Sequence, residues 1–261
     1  MKPFNYHCAK DSKEASKLSS SNSAFLAGGM TTIPSMKLGL ASYKDIINIK
    51  SIKKLSGIKV TGKSIIIGAT TKHADVANSK DIKKAIPSLA VLAEGIGDPQ
   101  VRNRGTIGGS IANNDPSADY PSACIALDAI IHTNDRKIEA SKFFKGMFET
   151  ALKKGELIEA IEFKIPERSS YQKHPNPASR YAVVGVYVAK HKDGTRVAVT
   201  GAKPCVYNDK DLSKALDSNF SLNSIAGMQL KSSDMNSDIH ASAEYRANLV
   251  VIQAKKAVEA C

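Results

Sequence analysis

Residues 96–120 read IGDPQVRNRGTIGGSIANNDPSADY. Gly and Pro recur too often here for an uninterrupted helix or strand, and apolar runs flank the stretch on both sides. We read it as a ligand-binding loop system built on backbone amides, with the rest of the chain as its support. A second glycine pair lies far upstream, in Ala27-Gly28-Gly29, followed by Met30-Thr31-Thr32. The downstream pair is Gly108-Gly109, between Thr106-Ile107 and Ser110. Successive backbone N–H groups make a concavity suited to an anion such as phosphate. Two such turns can grip the two halves of a pyrophosphate, and the hydroxyls of Thr31, Thr32, Thr106 and Ser110 add donors. The competing reading is a pair of tight turns at sheet edges. No GxGxxG joins a strand to a helix, and there is no GxxxxGK[ST] loop, so the usual nucleotide folds are disfavoured.

The polar cluster Asn113, Asn114, Asp115 and Asp119 has two readings. Such residues cap turns and helix starts, and Asp119 precedes a helix expected from Pro121. Alternatively, Asp119 accepts hydrogen bonds from a ligand. Metal binding by Asp115 and Asp119 lacks further ligands. Arg102 and Arg104 suit a phosphate or a carboxylate in a partner subunit. The six histidines are dispersed and read as surface or cap residues. No general acid–base pair stands out, so no catalytic residue is assigned.

The net charge of +12 comes from scattered lysines, without dense basic runs interleaved with aromatics. It therefore does not point to nucleic acid. Cys8, Cys124, Cys205 and Cys261 are far apart, which argues against a zinc or iron–sulfur site. No apolar run approaches a membrane span, and MKPFNYHCAK lacks a signal-peptide core. These features lead us to expect a soluble, cytoplasmic protein.

The patterns predict a short helix over 10–20, a strand over 24–27 and a strand near 46–49. A hairpin is expected over 57–68 about Thr61-Gly62-Lys63, then a helix starting near Thr71. A helix with Pro87 in its first turn should stop at Gly95. Beyond the glycine-rich stretch we expect a buried helix over 121–129 and a hairpin over 130–139. A short helix near 141–145 and a strand over 156–165 complete this part. PERSSYQKHPNP, residues 166–177, reads as a polar boundary. After it come strands over 181–190 and 195–203, helices over 209–217 and 221–228, and an amphipathic helix over 241–260 with Tyr245, Leu249, Ile252 and Val258 at helical spacing.

Three longer runs carry a resemblance: AGGMTTIPSMKLGLA (27–41), IGATTKHADVANS (67–79) and GDPQVRNRGTIGGSIANNDPSADYPSACIALDA (97–129). MKPFNYH and NPASRYAVVGVYVA (176–189) extend it over nearly the whole length. Together they resemble the FAD-binding medium subunit of molybdenum hydroxylases, typified by aerobic carbon monoxide dehydrogenase and the flavin domain of xanthine dehydrogenase. The resemblance implies an α+β, vanillyl-alcohol-oxidase (PCMH-type) FAD fold. It implies FAD-binding subdomains over 1–55 and 56–166 and a C-terminal α+β domain over 170–261. It implies that Ala27, Gly28, Gly29, Met30, Thr31 and Thr32 form one FAD turn, and that Thr106, Gly108, Gly109, Ser110 and Asn113 belong to the other. It further implies Asp119 as a carboxylate near the FAD and Lys173 as a lysine near the flavin. Met30 stands where many medium chains carry His or Gln. The implied partners are a molybdopterin-containing large subunit and a [2Fe–2S] small subunit, as a dimer of heterotrimers. The alternative kept beside it is a stand-alone FAD-dependent oxidoreductase of the same fold.

Overall fold

A computed structural model describes residues 1–261. The first unit is a small βαβαβ arrangement. Its elements are β1 (Asn5–Cys8), α1 (Ser12–Leu18), β2 (Ser23–Leu26), α2 (Thr32–Lys37) and β3 (Asp45–Asn48). The strands are parallel in the order β1-β3-β2, so each needs a crossover helix to reach the next. Asp11 caps α1 through the N–H of Glu14. Ala15, Ile47, Ile49 and Leu55 close a small core that borrows Leu157 from the second unit.

The second unit opens with the expected hairpin, β4 (Ile58–Val60) and β5 (Ser64–Gly68). Helices α3 (His73–Asn78), α4 (Lys80–Ala85) and α5 (Pro87–Glu94) follow. Pro87 sits in the first turn of α5, and Gly95 ends it. The glycine-rich stretch then departs from expectation. It holds α6 (Pro99–Arg102) and α7 (Ile107–Asn113), so a helix does form across Gly108-Gly109. Thr106 caps α7 by accepting from Gly109 N–H, and Ile107 and Ile111 bury on one face. Such a cap contributes about 1 kcal/mol, roughly what one glycine costs a helix. Next come α8 (Tyr120–Ala126), β6 (Ile130–Thr133), β7 (Lys137–Glu139), α9 (Ala140–Phe143), β8 (Phe144–Gly146), β9 (Glu149–Thr150) and β10 (Ile158–Lys164). The main sheet runs β4-β5-β10-β6-β7, and β8 and β9 form a separate two-stranded ribbon. Its core includes Ile65, Ile67, Leu89, Leu92, Tyr120, Ile131 and Phe163.

The polar stretch over 166–177 holds a strand, β11 (Arg168–Pro175). It pairs antiparallel with β12 (Ala182–His191), which pairs with β13 (Gly194–Thr200) and through it β14 (Tyr207–Asn208). Pro175 lies at a register shift at the strand's end, where a missing N–H is tolerated. Helix α10 (Lys210–Ser218) and α11 (Ala243–Glu259) back this sheet. Residues 222–225 form a 3-10 turn rather than a longer helix. On α11, Leu249 and Val258 are buried as the spacing predicted, whereas Tyr245 is exposed. The mixture of helices and strands is α+β, as expected. No helix is long and apolar enough to cross a membrane.

Candidate functional site

The loop after β2 and the loop before α7 meet. A Cβ on Gly28 would collide with the Arg104 carbonyl and lie 2.9 Å from Gly105 Cα. A Cβ on Gly105 would fall 2.6 Å from His73 Nε2, and one on Gly108 would fall 2.5 Å from the Ala69 methyl. Gly28 thus lets a loop of the first unit touch one of the second, while Gly105 and Gly108 let the second unit's own loops close together. Gly109 differs: it is exposed, and its absent Cβ would meet only the Thr106 hydroxyl oxygen, at 2.9 Å. It is therefore the glycine of the pair that leaves backbone open to a ligand.

The seam opens into a cavity of about 520 Å³, a size typical of small-molecule and cofactor sites. Twelve of the expected residues line it: Ala27, Gly28, Gly29, Met30, Thr31, Thr32, Thr106, Gly108, Gly109, Ser110, Asn113 and Asp119. Lys173, the thirteenth, does not. Its ammonium donates to Asp119 Oδ1 at 2.9 Å and to the carbonyls of Gly95 and Arg180 at 2.8 and 3.0 Å. It sits behind Asp119 rather than in the cavity.

Asp119 makes no side-chain cap at the start of α8. Its Oδ1 also accepts the Tyr171 hydroxyl at 2.5 Å. Burial pushes its carboxyl above the usual carboxylate range, more than Lys173 and Tyr171 pull it down. Burying a carboxylate without such partners would cost several kcal/mol, and Lys173 and Tyr171 offset part of that cost at the cavity wall. Arg102 Nη1 donates to the carbonyls of Ile96 and Gly97. It ties down the loop between α5 and α6.

His73, Arg180, Tyr181 and Glu156 also line the cavity and were not singled out from sequence. Tyr181 and Arg180 lie just past the polar stretch, where composition carries no burial signal. Glu156 is held by Arg136 at 2.9 Å, the Thr133 hydroxyl at 2.8 Å and the Lys153 N–H at 2.8 Å. Burial raises its carboxyl, but these bonds outweigh it and hold the value at about 2. His73, expected as a surface or cap residue, opens α3 and is buried, with Nδ1 unpartnered.

The residues present fit a large anionic cofactor in two respects: two amide-bearing turns meet on one cavity, and hydroxyls stand beside both. Comparison with known proteins agrees. The family described as FAD binding domain in molybdopterin dehydrogenase matches residues 2–167. The carbon monoxide dehydrogenase medium chain of Hydrogenophaga pseudoflava is 31% identical, covering 98% of this chain and 96% of that protein. The glyceraldehyde dehydrogenase medium chain of Sulfolobus acidocaldarius is 35% identical over 74% of this chain and 72% of its own length. The solved Hydrogenophaga pseudoflava carbon monoxide dehydrogenase lacking the Mo-pyranopterin moiety superposes with a TM-score of 0.89 at 31% identity, over 99% of this chain and 97% of that one. With its fold, its paired turns and these relatives in agreement, the chain belongs to the FAD-binding medium subunits of molybdenum hydroxylases, and FAD is its cofactor.

Proposed function

We propose that the cavity between the two glycine turns is where FAD binds, and that this chain is the electron-transfer subunit of a molybdenum hydroxylase. In this reading a molybdopterin-containing large subunit oxidises the substrate. Electrons reach this chain from [2Fe–2S] clusters of a small subunit and leave to an external acceptor. A dimer of heterotrimers in the cytoplasm is the assembly we assign. FAD supplies the redox chemistry when bound, and the protein supplies binding, orientation and electrostatics.

Ala27, Gly28, Gly29, Met30, Thr31 and Thr32 would hold one side of the diphosphate. Thr106, Gly108, Gly109, Ser110 and Asn113 would hold the other. Asp119 would accept from a donor on the cofactor, oriented by Lys173 and Tyr171. The corresponding units span 1–55, 56–166 and 170–261.

The observation that carries this reading is the convergence of two glycine turns, remote in sequence, on one cavity wall. The test is isolation of the intact complex. We expect about one FAD per copy of this chain, together with iron and molybdenum on partner subunits. Substrate added without oxygen should bleach the flavin band at a rate that tracks the iron content. A yellow protein that turns over alone, without iron or molybdenum partners, would establish the stand-alone oxidoreductase instead.

A further inference from the structure

His73 begins α3, directly behind the seam where the two glycine turns meet. Its ring is only 5% exposed and lines the cavity. Nδ1 is sealed from solvent and bonds to nothing, whereas Nε2 is not among the sealed unpartnered atoms and lies against Gly105. Leaving a buried imidazole unsatisfied costs free energy, and such groups in folded proteins call for an explanation. Packing alone does not supply one. The ring stands 5.4 Å from that of Tyr120, whose hydroxyl is also unpartnered.

The backbone around it has been shaped to admit it. A side chain on Gly105 would strike Nε2, and Gly105 in turn packs against Gly28. The imidazole, Gly105 and Gly28 thus form one stack across both turns. Nδ1 is the enclosed nitrogen, so Nε2 is the one turned to the seam. An enclosed lone pair is tolerated better than an enclosed N–H, which puts the proton on Nε2.

The lining is short of cations. Asp115, Asp119 and Glu156 face Arg180 alone among the strongly charged side chains. A diphosphate held here must be met mostly by neutral donors. We propose that His73 is one of them: its Nε2–H donates to an oxygen of the FAD diphosphate, fixing the cofactor at the junction of the two turns. This rests on the reading that FAD lies between those turns. Burial and the neighbouring Arg102 hold the imidazole near a pKa of about 4, which keeps it a neutral donor at physiological pH.

The test uses the full chain with FAD removed and titrated back, following quenching of flavin fluorescence. His73→Leu should weaken FAD binding about tenfold, the scale of one hydrogen bond to a charged group. His73→Gln, which keeps an N–H at nearly the same reach, should stay within about threefold. ADP, which carries both phosphates, should lose affinity in His73→Leu, whereas riboflavin should not. Thermal melting of the FAD-free variants reports packing separately. Wild-type FAD affinity in His73→Leu overturns the proposal, as does an equal loss in His73→Gln. Failure of the underlying reading looks different: Gly109→Val then keeps full FAD affinity as well.

Discussion

Tyr171 and Lys173 both address the same oxygen of Asp119, at 2.5 and 2.9 Å. They stand two positions apart on β11, so their side chains leave the same face of the strand. The contact joins the C-terminal sheet to the wall of the cavity through a buried charge.

Removing one member should leave that charge exposed to its desolvation cost. We expect Lys173→Met to destabilise the FAD-free chain by about 3–5 kcal/mol, and Tyr171→Phe by roughly 1–3 kcal/mol. Asp119→Asn added to Lys173→Met should recover part of the loss, because the uncompensated charge is then gone. Urea denaturation of the single and double variants reads this coupling; strictly additive losses would contradict it.

Gly28 and Gly109 should respond differently to an added side chain. Gly28→Ala pushes on the Arg104 backbone, so it should lower the melting temperature of the FAD-free protein. Gly109→Val meets the Thr106 hydroxyl that caps α7. It should cost on the order of 1 kcal/mol through the cap yet abolish flavin retention. Melting curves and flavin content, measured together, separate the two effects. Full flavin in folded Gly109→Val would place the cofactor elsewhere.

Acid should weaken the fold in two windows. His73 is held down to about 4, from an ordinary 6.5, by burial and Arg102. The unfolded chain therefore binds the proton first, and stability falls as pH drops from about 6.5 to 4. The full effect is on the order of 3 kcal/mol. Glu156, at about 2 against an ordinary 4.5, adds a second loss between those values. Stability curves of His73→Gln should lose the upper window and keep the lower one. An unchanged upper window would assign it to another group.

Arg246 offers a contrast remote from the glycine seam. Its guanidinium donates to the carbonyls of Val183 and Gly201 at 2.6 and 3.0 Å and pairs with Asp238 at 2.7 Å. Arg246→Met leaves those acceptors unmet under α11 and should cost about 2–4 kcal/mol. Flavin content of the folded fraction should not change. A flavin-free but stable variant would show that α11 reaches the cofactor.

Much of this architecture is legible in the residues. The hairpin about Gly62, the helix opened by Pro87 and the strands about Gly194 are set by local turn chemistry and periodicity. The helix over Ile107–Asn113 was not, because two adjacent glycines carry poor propensity and what rescues them is partly tertiary: Ile107 and Ile111 bury, and Gly108 abuts Ala69. Strand β11 hid for a similar reason. Its polar face is real, and only pairing with β12 and burial of Tyr171 make it a strand. The twelve cavity-lining positions followed from resemblance and glycine chemistry. The inward turn of His73 and the placement of Lys173 behind Asp119 did not, since both depend on contacts between residues distant in the chain.

The stack of Gly28 on Gly105 has a kinetic meaning as well. The two loops are separated by the rest of the first unit and the opening hairpin and helices of the second, so closing the seam carries the loop entropy of a long intervening segment and belongs late in folding. Until it closes, neither half of the clamp is complete. A ligand that spans both halves binds only the finished state, and so raises its population by mass action. On the proposed placement of FAD across both halves, flavin supplied during synthesis would raise the share of chain that reaches the closed state, making it a folding partner before it is ever a carrier of electrons.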